Sequence, residues 1–548
     1  MSEFQVAEKK FPITHELRTW ASDCEAAITY LTEDPGDPQH SIRPITIDLN
    51  TGTGSKCQEQ CGMSFGDKGN TNQEITFILS THTNELTALH LVQVIREHYL
   101  KHEAAFAGKQ INVIFGGDPS RAKALLTVLK DTAITEMTEG EYETYRNTAY
   151  QVNCNRVDIS QLPRPALDDE QEQTAWRRAL EQLISGTHLG KHATEKEKHW
   201  YHALKSYYEQ LESTPGTSGW LLQKHLALQR YTNKIDLHTT SRAGSPIALI
   251  FGPEDPLNET TLQTLALMGA THIIPGTSDG KYIDLTTPLH PYARHGLLLE
   301  CGAHRDIVRS SAVAERAFFG AVLDKFGLHL TKEPGSPQQA TMILSQGMKR
   351  IYPPLSPNAP RMASDALNLI PEFYLQSEKI SPNDERVQKG HWGAGGETEA
   401  RFYALSANDP LPPSVQALVK QDKLPTHNNG DAIHRGDLAF WSTYTLADGT
   451  IIPVLFRSPF NGLTFMTPAK GWDRIDGPYY FTEVSTENKE VTVHLKENEP
   501  LKHQEEAAND QLHSSNARKI WTERISRNDA TREQTKAGLP GMREYLKR

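Results

Sequence analysis

The chain has 548 residues and only five cysteines, too few for a disulfide framework and in keeping with a reducing compartment. It has no excess of basic charge. Lys and Arg number 57 against 68 Asp and Glu, a net charge of −11, so its surface repels phosphate backbones and no nucleic-acid partner is expected. Long apolar runs are missing as well: none approaches the roughly 18 residues of a membrane span, and no membrane partner is expected. The opening MSEFQVAEKKFPITHELRTW carries no hydrophobic signal core. A cytoplasmic protein is therefore expected, with signal-independent export left open. Internal repeats and a G-x-S-x-G nucleophile signature are also lacking. With 37% hydrophobic and 23% charged residues the composition is globular, which excludes a wholly disordered, collagenous or coiled-coil chain.

What is present is an alternation of strands and helices. RPITIDL, EITFILS and INVIFGG are short, rich in β-branched residues and bounded by Gly, Asn and Asp. Between the second and third, Leu86, Leu89, Val92, Ile95 and Tyr99 recur at helical spacing, and a strand–helix–strand unit of this length predicts α/β architecture. KIDLH, PIALIFG, HIIPG and GLLLE continue the strands; helices are expected over 17–31 and 311–326. Residues 166–232 interrupt the rhythm with a charged, Trp- and Leu-bearing helical pattern, read as an inserted helical subdomain. Beyond KEPGSPQQA, short strands separated by DG and NG turns predict a small sandwich or barrel. After Glu483 apolar content falls away into a charged tail. The expected organisation is an N-terminal extension (1–40), an α/β domain (41–332) with its helical insert (166–232), a β-rich C-terminal domain (341–484) and the tail (485–548).

Four pieces carry chemistry. In ILSTHTNELTALH a strand ends and His82 and Glu85 stand three apart where a helix is expected to begin, a spacing that lets both reach one metal ion. KIDLHTT places His238 at the end of another strand as a candidate third ligand. Asp236 lies two residues earlier on the same face, as an outer partner of that histidine or a capping residue. GLLLE delivers Glu300 on an apolar strand, where a carboxylate needs a reason to be. General-base catalysis on an attacking water is one. In YQVNCNRVDI, Asn155 and Arg156 offer polar groups for a substrate carboxylate, the planar guanidinium gripping it with two parallel hydrogen bonds.

H-x-x-E after a strand, then N-R, D-L-H and a strand-borne Glu, in that order over residues 42–330, resembles the aspartoacylase/succinylglutamate desuccinylase family, a branch of the zinc carboxypeptidase superfamily. The resemblance implies an α/β fold with a mixed sheet flanked by helices and a small C-terminal β domain. It also implies one zinc ion per chain on His82, Glu85 and His238, with Glu300 as catalytic acid/base and Asn155 and Arg156 on the substrate carboxylate. A further Arg polarises the scissile carbonyl in that family, and Arg146 is the nearest counterpart here. Thr83 stands where the family has Gly, N-C-N-R where it has D-L-N-R, and the interval from Arg156 to His238 is long.

The function expected is zinc-dependent hydrolysis of an amide bond, by deacylation of an N-acyl amino acid or related small amide. The alternatives are a carboxypeptidase-like metallopeptidase acting on a peptide or protein tail and an inactive interaction protein on the same fold. A homo-oligomer is compatible with the sequence. Other features read as structural: His98 and His102 as solvated surface, Cys57 and Cys61 as unpaired thiols, Cys301 as core, GHWGAGGETEA as a loop, and His304, His427 and His434 as surface or packing residues.

Overall fold

The computed structural model of the chain describes residues 10–495, except the segments 51–55, 68–72, 139–140, 143, 147–156, 159–160, 166–168, 186–188, 191, 216, 241–243, 252–257, 276–281, 284–295, 305, 331–338, 353–365, 394–401, 406–410 and 466–481. Among these residues the largest sheet has thirteen strands. In chain order they are β1 (Ile42–Asn50), β2 (Lys56–Phe65), β3 (Glu74–Leu79), β4 (Gln110–Phe115), β5 (Lys234–Thr240), β6 (Ile247–Phe251), β7 (His272–Pro275), β8 (Gly296–Ala303), β9 (Gln339–Tyr352), β10 (Ala366–Asn368), β11 (Asp431–Ile433), β12 (Gly462–Phe465) and β13 (Thr482–His494). In space they run β11-β12-β13-β9-β7-β6-β8-β5-β3-β4-β2-β1, with β10 beside β9. The central β8, β5, β3 and β4 are mutually parallel. β6 runs antiparallel to β8, so the sheet is mixed.

Helices cover both faces, which is why the central strands read as unbroken apolar runs. α1 (His15–Glu33), α2 (Leu91–Lys101), α3 (Pro119–Lys130), α7 (Glu259–Met268) and α8 (Ile307–Phe326) pack on one face. α4 (Glu170–Ser185), α5 (Glu195–Gln210) and α6 (Ser218–Leu228) pack on the other. The period of two sorts the side chains: Ile75, Phe77 and Leu79 enter the first core, whereas Ile78 of the same strand enters the second.

A second sheet of six strands, antiparallel throughout, is built on the hairpin of Leu438–Thr445 and Ile451–Arg457. The aromatic rings of Phe373, Trp392, Phe402, Tyr444 and Phe456 pack against one another there. The later strands do not all belong to this sheet, as a self-contained sandwich or barrel would require: β11, β12 and β13 extend the main one. Residues 485–494, read from sequence as the start of the charged tail, are instead the greater part of β13. Val491, Val493 and Leu495 alternate inward among exposed charged and polar neighbours, and an antiparallel ladder from Gln339 to Ile351 supplies the partner. The N-terminal helix spans His15–Glu33, and no helix among the described residues is long and apolar enough to cross a membrane.

Candidate metal centre

The site lies at the carboxyl ends of β3, β5 and β8, where open α/β sheets present their ligands. β3 ends at Leu79, and Ser80 takes a left-handed backbone, φ 55°, that turns the chain out of the sheet. Ser80 Oγ donates to Glu85 O at 2.9 Å, and Glu85 N–H donates to His82 O at 2.8 Å. His82 and Glu85 therefore sit on a tight turn and not in the first turn of α2, which starts only at Leu91 after a 3₁₀ turn over Thr87–His90. Thr83 is buried and its hydroxyl accepts from the Asp118 N–H at 3.1 Å.

β5 lies between β3 and β8, and all seven of its residues are buried. In the parallel register His238 stands opposite Glu300, on strands about 4.8 Å apart. One ligand atom each of His82, Glu85 and His238 fall within 4.8 Å of one another, a separation that one ion can bridge. The His82 and His238 rings meet nearly edge-on, 4.9 Å between centroids and 83° between planes.

His238 Nδ1 is 3.2 Å from Glu85 Oε2, and its Nε2 is 2.9 Å from Asp236 Oδ2. Asp236 is thus an outer partner of the histidine rather than a cap. It is itself held by Thr81 Oγ1, 2.8 and 2.7 Å from its two carboxylate oxygens. Thr81 was not recognisable from sequence, because its partner is 155 residues away. Glu85 Oε2 also accepts the Thr239 N–H at 2.9 Å.

The electrostatics follow from this packing. Burial opposes ionisation of Glu85, but His82 and His238, with hydrogen bonds from His238 and Thr239, hold it below the usual carboxylate range. Burial likewise opposes a charged His238, and the Asp236 and Glu85 carboxylates outweigh it and raise that imidazole well above its ordinary value. Glu300 is pushed up by burial; His238 pulls it down, while Glu85 and Asp236 add to the rise.

A divalent cation fits these residues. Three buried or nearly buried carboxylates, Asp236, Glu85 and Glu300, converge on two imidazoles. Glu300 Oε2 is enclosed with no hydrogen-bond partner among the described residues. A cation there would offset the carboxylate charge that burial disfavours. Two imidazoles and one carboxylate are also a donor set typical of catalytic zinc.

Of the other expected site residues, Arg146 is buried, with Nη1 2.7 Å from His304 Nε2. Asn155 and Arg156 lie outside the described residues, as do Cys154 and most of the GHWGAGGETEA loop. His304 and His427 are buried, Cys301 is core, and His434 is exposed. His98 is not solvated surface: it is half-buried against Phe319, 5.0 Å between centroids, and burial lowers its pKa to about 4.

No family model and no curated protein matches the chain. Many solved structures similar to it are succinylglutamate desuccinylase/aspartoacylase family proteins. The succinylglutamate desuccinylase/aspartoacylase from Rhodobacter sphaeroides is 11% identical, over 80% of this chain and 94% of its own, with a TM-score of 0.35. A putative family member from Shewanella amazonensis SB2B is 12% identical over 82% and 100%, with a TM-score of 0.38. Murine aminoacylase 3 is 12% identical over 77% and 97%, with a TM-score of 0.31.

Proposed function

We propose that the chain is a zinc-dependent amide hydrolase that deacylates an N-acyl amino acid or a related small amide. The observation that carries this reading is the convergence of His82, Glu85 and His238 beside Glu300 at the ends of three parallel strands. His82, Glu85 and His238 would hold one zinc ion per chain, and Asp236 holds the His238 ring with Nδ1 turned toward Glu85. The chemistry a zinc ion would supply there is polarisation of the scissile carbonyl and a lowered pKa for the attacking water. Glu300 takes the proton from that water and returns it to the departing amine nitrogen, so one carboxylate serves as base and then acid. Glu300 is buried on β8, opposite His238 in the parallel register, so the carboxyl stands beside the ligand set. Arg146 stabilises the developing oxyanion, and Asn155 and Arg156 grip the substrate carboxylate.

In this reading 41–332 is the hydrolase domain, with 166–232 an insert carrying α4–α6. Residues 341–484 are its C-terminal β-rich companion, and the two together set how large a substrate enters.

The experiment is elemental analysis of the purified protein beside His82→Ala and His238→Ala, followed by turnover of a panel of N-acetyl and N-succinyl amino acids and short peptides. About one zinc per chain, lost in both variants, with release of free amino acid, is expected. Glu300→Gln keeps the metal and loses about 10²–10⁴ in kcat. A wild type that takes up no zinc on incubation, or a Glu300→Gln with full turnover, overturns the assignment. Preference for peptides over N-acyl amino acids makes it a peptidase instead.

A further inference from the structure

β8 does not continue regularly past its catalytic residue. Its pairing with β5 shifts between Glu300 and Ala303, and Gly302 adopts φ +125°. An irregularity of this kind re-aims the side chains that follow it. The first residue after the strand is His304, which is 3% exposed. Its backbone N–H donates to Thr240 O at 2.9 Å, tying it to the end of the strand that bears His238. Its ring Nε2 meets Arg146 Nη1 at 2.7 Å.

The chemistry of that contact has one solution. A guanidinium only donates, so Nη1–H is the donor and Nε2 the bare acceptor, which places the ring proton on Nδ1. The Arg146 carbon also lies 5.9 Å from the centroid of Tyr142, whose ring is 6.3 Å from that of His304. The guanidinium is therefore held by an imidazole and an aromatic ring at the edge where β5 and β8 end.

We propose that His304 is a positioning residue for Arg146, fixing the guanidinium in the orientation that meets the substrate's carbonyl oxygen. This rests on the amide-hydrolase reading above. Stabilisation of a developing oxyanion depends on a donor already in place, and a displacement of about 1 Å can lose about 10²-fold in rate. The bulge after Glu300 thus allows one strand to supply the acid/base and, four residues on, the group that aims the oxyanion donor.

The test uses the zinc-loaded full chain and the best-turned-over member of the N-acyl amino acid panel. His304→Phe is expected to lower kcat by about 10–100-fold with KM changed less than about twofold and zinc content unchanged. His304→Gln, which restores an acceptor near the position of Nε2, recovers most of the loss. In an Arg146→Met background His304→Phe has no further effect. Independently of turnover, the ring-nitrogen NMR spectrum of 15N-histidine-labelled protein, assigned by the signal lost in His304→Phe, shows His304 protonated at Nδ1 and perturbed by Arg146→Met.

Additive losses in the double variant, a His304→Gln no better than His304→Phe, or a wild-type ring protonated at Nε2 overturns the proposal. Unchanged kcat in His304→Phe overturns it while leaving the hydrolase reading standing. A zinc-loaded wild type that hydrolyses nothing in the panel overturns that reading and the catalytic role of the pair together, and the ring spectrum then decides the contact alone.

Discussion

Asp236 is fully buried between Thr81 and His238, and it determines which nitrogen of the histidine is turned toward Glu85. Removing it leaves His82, Glu85 and His238 in place but frees the His238 ring to rotate. Asp236→Ala is expected to weaken zinc binding by about 10–100-fold, measured by competition with a chromophoric chelator. An affinity equal to wild type would show that the ring is held by packing alone. The H-x-x-E pair and the alternation Asp236–His238 were legible because both rest on local spacing. The Thr81 hydroxyl and the Arg146–His304 contact were not, since each joins residues more than 150 positions apart.

The elements carry their own balance of charge and burial. α1 begins with Thr14, whose hydroxyl accepts the Leu17 N–H, and lays Trp20, Ala21, Cys24, Ala27, Ile28 and Leu31 into the core. Asp23 falls beside that stripe. The residue is half-buried, yet its Oδ2 is enclosed without a hydrogen-bond partner among the described residues, and burial raises its pKa from 3.8 to about 7. The folded state then binds this proton more tightly than the unfolded chain. The group's contribution to stability is most favourable below about pH 4, declines as pH rises toward 7, and reaches its full penalty above that. Asp23→Asn removes the charge without changing the shape. It is expected to stabilise the protein by about 1–3 kcal/mol at pH 8 and by little at pH 4, read from denaturant unfolding at both pH values. An equal effect at the two pH values would show that the carboxylate is already ionised at no penalty. The helical stripe of α1 was readable from its period; the enclosure of Asp23 depends on what packs over it.

At the scale of the whole molecule, the late strands are joined to the early ones near the site. Asn429 is 2% exposed and its Nδ2 donates at 2.9 Å to the hydroxyl of Thr240, two residues beyond His238. The Ser245 N–H donates to Asn429 O, and Gly244, at φ +147°, lies so near Asn429 that a Cβ would stand 2.5 Å from its carbonyl oxygen. Asn429→Leu is expected to cost about 1–2 kcal/mol by breaking this buried contact, read as a lower unfolding midpoint. On the proposed function, zinc would bind only the folded chain and stabilise it by about 2.7 kcal/mol at a hundredfold excess over Kd. Addition of EDTA should therefore lower the melting temperature of wild type and leave that of His82→Ala unmoved. A wild type insensitive to EDTA would argue that the three carboxylates are stable without an ion.

The sequence by itself determined the α/β class, the central strands and the order of His82, Glu85, His238 and Glu300, because helical and strand periods and residue spacing are local properties. It also marked strand ends, where apolar runs give way to polar residues. Only the tertiary structure decided that β13 pairs with β9 in the main sheet, that Thr81 meets Asp236 and Asp236 the His238 ring, and that the bulge after Glu300 brings His304 to Arg146. Those outcomes depend on register and on enclosure by distant segments. Both are sums over many non-local contacts, so no window of the sequence contains them.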